Sequence, residues 1–106
     1  MITDVLEARL KVVVQVLNYI ETRKHLAQGY DNFPADRVEY KDRKKKFVAI
    51  DIGSSGAWLV EKETGEIYNI KGYGVPDYNK KLKADIGNIY TVDPEFMHNR
   101  RHNYLR

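Results

Sequence analysis

The stretch FVAIDIGSSGAWLVEKETGEIYNI, Phe47 to Ile70, decides the fold. Apolar residues alternate along three short runs: Val48, Ile50 and Ile52, then Trp58 and Val60, then Tyr68 and Ile70. A period of two is the pattern of a strand that buries one face. GSSG and ETG separate the runs, and both are rich in turn formers. An antiparallel meander follows. A three-residue loop, Glu63-Thr64-Gly65, ending in a left-handed glycine sets Val60 opposite Tyr68 and Trp58 opposite Ile70. Pairing Ile50 with Trp58 across GSSG then gathers Val48, Ile50, Trp58, Val60, Tyr68 and Ile70 on one face. The other face carries Asp51, Glu61, Asn69 and Lys71 beside Phe47, Leu59 and Ile67, and is therefore only partly polar. The C-terminal segment or a partner is expected to cover some of it.

Upstream of the meander, Leu6, Leu10, Val13, Leu17 and Ile20 recur at helical spacing, with Val5, Val12, Val16 and Tyr19 as a neighbouring stripe. Asp4 followed by Glu7 suits a capped helix start, and Arg23, Lys24 and His25 precede Gly29, as the helix dipole favours. The valines of LKVVVQVL favour a strand by propensity, but periodicity and end signals outweigh them. A wide apolar helix face is expected to be buried on the sheet. YDNFPA, Tyr30 to Ala35, breaks the chain, and a short strand is expected over Arg37 to Tyr40. The fold class is α+β: a long N-terminal amphipathic helix packed on a three- or four-stranded antiparallel β-meander. Residues 1–97 form a single domain, and 98–106 form a basic tail expected to be mobile.

Composition narrows the function. A chain of 106 residues closes one core but has no room for two lobes around a cleft. Hydrophobic residues at 42% and charged residues at 31% describe a folded globular chain. With no cysteine, disulfides, thiolate metal sites and cysteine nucleophiles are excluded, and a cytoplasmic setting is the expectation. Glu7, Arg9, Lys11 and Gln15 interrupt the N-terminal apolar run, which therefore reads as neither a signal peptide nor a membrane span.

The net charge is +3, with basic runs at Arg43 to Lys46 and Asn99 to Arg106. This permits contact with nucleic acid. Tyrosines and lysines interleave in IKGYGVPDYNKKLK, where aromatic faces can stack on unpaired bases while ammonium groups meet phosphates. The candidate contact residues for nucleic acid or a protein partner are Lys71, Tyr78, Lys80, Lys81 and Lys83, with Arg100 and Arg101. Tyr73 and Tyr90 read instead as rings that close over the open sheet face. His98 and His102 have the spacing of helical metal ligands, but no third ligand accompanies them and the intervening arginines repel a cation. No catalytic residue, metal site or cofactor is assigned.

Asp51, Gly53, Ser54, Ser55 and Gly56, following an apolar strand, resemble the first phosphate loop of the sugar-kinase, actin and heat-shock-protein-70 superfamily. That resemblance implies phosphate held by the loop, with Asp51 orienting a metal ion or its water. The superfamily also needs a second phosphate loop, an adenosine-binding segment and a second lobe, for which this chain has no room, so the likeness is read as that of a hairpin alone. Asp51 is similarly placed to the metal-binding aspartate of ribonuclease-H-like nucleases. Its companions there would be Glu61, Glu66 and Asp85, which read here as ordinary surface acids.

A longer likeness starts at Gly65. The residues Gly65, Glu66, Ile67, Tyr68, Ile70, Lys71, Tyr73, Gly74 and Val75, then Gly87 and Ile89, resemble a family of small bacteriophage- and virus-associated proteins. In these, Gly-Glu-Ile-Tyr-x-Ile-Lys-x-Tyr-Gly-Val precedes a basic stretch and a Gly-x-Ile/Leu element. The match covers roughly a quarter of the chain and departs from the family at ADIGN, Ala84 to Asn88. It implies a viral source. The expected function is that of a small non-enzymatic phage-type accessory protein that binds nucleic acid, a host or viral protein, or a second copy of itself. The alternative is metal-dependent phosphoryl-transfer or nuclease chemistry centred on Asp51. The expected setting is the host cytoplasm, with association with virus particles compatible with it.

Overall fold

A computed structural model describes residues 3–27, 29, 37–42, 45–53, 55–72, 75–76 and 87–105; at 71, 72, 75, 76 and 100–105 the description is of the backbone. In chain order the elements are α1 (Asp4–Ala27), β1 (Val38–Lys41), β2 (Phe47–Ile52), β3 (Ser55–Glu61), β4 (Ile67–Gly72), β5 (Val75–Pro76) and α2 (Pro94–Leu105). The strands form one antiparallel meander in the order β1-β2-β3-β4-β5. The fold is the expected α+β arrangement of an N-terminal helix on an antiparallel sheet, with a two-residue fifth strand at one edge.

Helix α1 is buried along a narrow line. Leu6, Leu10, Val13 and Leu17 are fully inaccessible and pack with Val38, Val48, Ile50, Trp58, Val60 and Ile67 of the sheet. The neighbouring stripe was expected to share that burial and does not: Val5 is 69% exposed, Val12 48%, Val16 36% and Tyr19 62%. The helix begins one residue earlier than expected in its capping. The Thr3 hydroxyl accepts a hydrogen bond from the Leu6 amide at 3.2 Å, and the Glu7 amide donates to the Thr3 carbonyl at 2.9 Å. Thr3 therefore fills the cap position assigned to Asp4, which contributes its charge to the first turn instead.

The first central hairpin pairs Ile50 with Trp58 and Val48 with Val60, as the alternation predicts. Its turn is tighter than GSSG suggests, because Ile52 pairs with Ser55. A two-residue turn is incompatible with the Ile50–Trp58 register unless one strand carries an extra residue. The register shifts between Ile50 and Asp51, leaving Ala57 as that extra residue, buried beside Trp58. Gly53 opens the turn with φ 62°, a left-handed conformation that glycine adopts without penalty.

The second hairpin corrects the sequence register. Val60 pairs with Ile67, Leu59 with Tyr68 and Trp58 with Asn69. The loop holds four residues, Lys62 to Gly65, closed by the Glu61 amide on the Glu66 carbonyl and the Gly65 amide on the Glu61 carbonyl. One extra loop residue exchanges the two faces of β4. Ile67 and Asn69 consequently turn toward α1, while Tyr68 and Ile70 join Phe47, Ala49 and Leu59 in a second apolar cluster on the far face. There the rings of Phe47 and Tyr68 meet edge to face, 5.8 Å between centroids.

Residues 87–92 run along the end of β4 and close the core. Glu66 bridges to Asn88, the Ile67 amide donates to the Gly87 carbonyl, and the Ile89 amide donates to the Gly65 carbonyl. Ile89 is fully buried. From α1, the Arg9 guanidinium donates to the carbonyls of Ile89 at 2.6 Å and Val92 at 2.7 Å. Tyr90 is not a cover for the far sheet face: it is 39% exposed, with its ring against the α-carbon of Gly65. Helix α2 then starts at Pro94, with the Asp93 carboxylate accepting from the Glu95 amide. The boundary drawn between residues 97 and 98 falls inside this helix, where both Met97 and His98 are buried.

Candidate interaction surfaces

Helix α1 presents two apolar lines. The buried one faces the sheet; the other consists of Val5, Val12, Val16, Tyr19 and Leu26, the last 58% exposed. Val5, Val12, Tyr19 and Leu26 are spaced by seven residues, and Val16 lies one turn from both Val12 and Tyr19. This is the spacing of a seam between two packed helices. Arg23 lies over the Tyr19 ring, 5.6 Å from its centroid. Sequence reasoning missed this surface by assigning its residues to the core. Seven-residue recurrence does not separate the two lines, because the buried residues repeat it as well, Leu6 to Val13 and Leu10 to Leu17.

A second surface lies at the other end of the meander. Lys45, Lys46, Lys62 and Glu63 line a cavity of about 390 Å³. The Lys62 amide donates to the Lys46 carbonyl at 3.0 Å, which binds the two lysine-bearing segments together. Lys46 is ion-paired to Glu61 at 3.5 Å and Lys62 to Asp42 at 2.5 Å. The hydrogen bond from Lys62 holds the Asp42 carboxyl below its usual value, aided by the same ammonium charge. The acids offset part of the positive charge here.

Asp51 sits on the far face of β2, 2% exposed, with one carboxylate oxygen 3.3 Å from the Lys41 ammonium. The geometry follows from the β1–β2 register: Lys41 faces Ala49 and Glu39 faces Asp51, so Lys41 and Asp51 are diagonal neighbours. The other acids are dispersed. Glu61 faces Phe47, four residues and about 13 Å along β2 from Asp51. It accepts from the Thr64 hydroxyl as well as pairing with Lys46. Glu66 accepts from the Tyr68 hydroxyl at 2.8 Å. Asp85 lies outside the described residues. Among the described residues no three His, Asp or Glu side chains are grouped to hold a metal ion.

His98 is turned inward from α2, with Nε2 2.9 Å from Glu21 Oε1 of α1. Both side chains are largely buried, and the pair joins the two helices. No helix among the described residues is long and apolar enough to cross a membrane.

No family model, curated protein or solved structure matches this chain. Of the residues that sequence reasoning selected, Lys71 belongs to β4 and Arg100 and Arg101 to α2, their side chains lying outside the description. Tyr78, Lys80, Lys81 and Lys83 lie outside the described residues, as does Tyr73.

Proposed function

We propose that the chain is a small non-enzymatic accessory protein of phage type that works by binding, and that a protein partner binds on the outer line of α1. The exposed line of Val5, Val12, Val16, Tyr19 and Leu26 carries this reading. An aligned apolar seam on an exposed helix loses free energy to water at every residue, and contact with a complementary surface recovers it. The viral source rests on the residues from Gly65 to Val75, Gly87 and Ile89 described above, and the partner is a host or viral protein, a second copy of this chain included, met in the host cytoplasm or at the particle. In affinity capture from the native host, the wild-type chain retains a partner that Tyr19→Glu releases. Equal recovery by both would remove α1 from the interface.

Nucleic-acid binding is the second reading, supported by the lysine-lined cavity at Lys45, Lys46 and Lys62. The residues Lys71, Tyr78, Lys80, Lys81, Lys83, Arg100 and Arg101 would extend it. Such binding weakens steeply as salt rises, because each neutralised phosphate releases counterions. Lys45→Glu with Lys62→Glu should lower affinity for DNA or RNA and flatten the salt slope. An affinity that ignores both salt and these substitutions argues for a different surface. Metal-dependent chemistry at Asp51 draws no support from its contacts, since the carboxylate faces Lys41 and both Glu61 and Glu66 are engaged elsewhere.

A further inference from the structure

The outer line of α1 has an internal symmetry that bears on what covers it. Helix α1 runs from residue 4 to residue 27. Residues 5 and 26 lie equally far from its midpoint, as do residues 12 and 19, while Gln15 and Val16 flank the midpoint itself. From Val5 to Leu26 the line extends about 32 Å, at 1.5 Å per residue. We propose that its occupant is a second copy of this chain, with the two α1 helices packed antiparallel about a two-fold axis at Gln15 and Val16. The inference rests on the reading of α1 as a protein-binding face and deepens it by naming the partner.

Three features select this occupant and this direction. The first is size. In the antiparallel pairing Val5 meets Leu26 of the second copy and Val12 meets its Tyr19, so each small side chain faces a large one and the layers fill evenly. A parallel pairing would set Tyr19 against Tyr19 and leave valine layers loose beside it. The second is charge. The first turn is acidic, with Asp4 and Glu7, and the end of the helix is basic, with Arg23, Lys24 and His25. Antiparallel packing brings the acidic end of each helix to the basic end of the other and opposes the two dipoles; parallel packing brings like charges together. The third is curvature. A seven-residue repeat drifts by about 20° per heptad on a straight helix, so the line follows a partner helix that crosses at a small left-handed angle. Because the line is centred on the helix, a two-fold axis mates Val5 with Leu26 and Val12 with Tyr19, and sets Val16 beside Gln15 of the second copy.

Burial on the other side of α1 leaves the line free for this contact. Leu6, Leu10, Val13 and Leu17 are held by the sheet, and Arg9 is held by the carbonyls of Ile89 and Val92. Dimerisation therefore requires no change in the protomer. The 106-residue chain supplies the test. Sedimentation velocity over a range of protein concentrations should show conversion from 12.4 kDa to twice that mass. Val12→Glu and Tyr19→Glu each place a charge in the seam and should raise the dissociation constant by about tenfold or more. Circular dichroism melts of the dilute monomers should stay unchanged, because both side chains are exposed in the protomer.

The absence of cysteine in the chain makes direction measurable. A mixture of Val5→Cys and Leu26→Cys chains should oxidise to the mixed disulfide in preference to either homodimer. The same holds for Val12→Cys mixed with Tyr19→Cys. Preferential linkage of Val5→Cys to itself would overturn the antiparallel arrangement. A chain that stays monomeric at every concentration would overturn self-association, while loss of a captured host protein from Tyr19→Glu would keep α1 as a binding face for that other partner. A dimer indifferent to both glutamate substitutions would overturn the placement of the interface on α1.

Discussion

Asn18 illustrates how one side chain can join two elements. Its amide nitrogen donates to the Val38 carbonyl at 2.9 Å, and its amide oxygen accepts from the Val38 amide at 2.7 Å. β1 is the first strand of the sheet, so these backbone groups lie on an edge that would otherwise be open to another strand. Asn18→Ala removes both bonds at a half-buried site and should cost about 1–3 kcal/mol, read as a lower urea midpoint with an unchanged slope. Asn18→Asp keeps the acceptor but loses the donor and sets a carboxylate against the Val38 carbonyl; it should not restore the midpoint. Contacts of this kind were not legible in the sequence, where Asn18 is a polar residue between apolar neighbours. Asp51 shows the same limit from the other side. Its place on the less apolar strand face was legible, but its burial against Lys41 depends on the β1–β2 register, which the sequence does not specify.

At the level of elements, periodicity and propensity disclosed α1, the three central strands and the short strand before them. The physical reason is that alternation and helical spacing are local properties. The register of β4 was not local in that sense. Three- and four-residue loops both accept a left-handed glycine at Gly65, and the choice between them decides whether Tyr68 or Ile67 faces the helix. α2 was not expected: Asp93, Pro94 and Glu95 carry the signals of a helix start, but the arginines after them made the segment read as a tail. The outer line of α1 was visible as apolar spacing, but its exposure was not, because two adjacent stripes compete for one sheet. The cap of that helix gives a direct test. Thr3→Ala should lower stability by about 1 kcal/mol in thermal or urea unfolding, whereas Asp4→Asn, which keeps the cap, should cost less.

Over the whole molecule, the pair of Asp42 and Lys62 contributes a pH dependence of definite sign. Its carboxyl is held below its usual value by the hydrogen bond from Lys62. A carboxyl more acidic in the folded state contributes stability fully above its unfolded value, near pH 4, and loses that contribution as pH falls through the folded value. The stability difference between wild type and Asp42→Asn should therefore be constant at neutral pH and shrink in the acid limb, measured by urea unfolding at a series of pH values. A difference that grows on acidification would reverse the assignment. The link between Arg9 and the carbonyls of Ile89 and Val92 has a consequence for biosynthesis. Helix α1 leaves the ribosome before the sheet, and Ile89, Val92 and Met97, which complete the core around it, are translated some 70 residues later. At 5–20 residues per second the nascent helix waits roughly 4 to 14 seconds before the core around it is complete. During that interval it is a substrate for chaperones, and neighbouring chains on one messenger can meet through either line before the sheet has claimed its own.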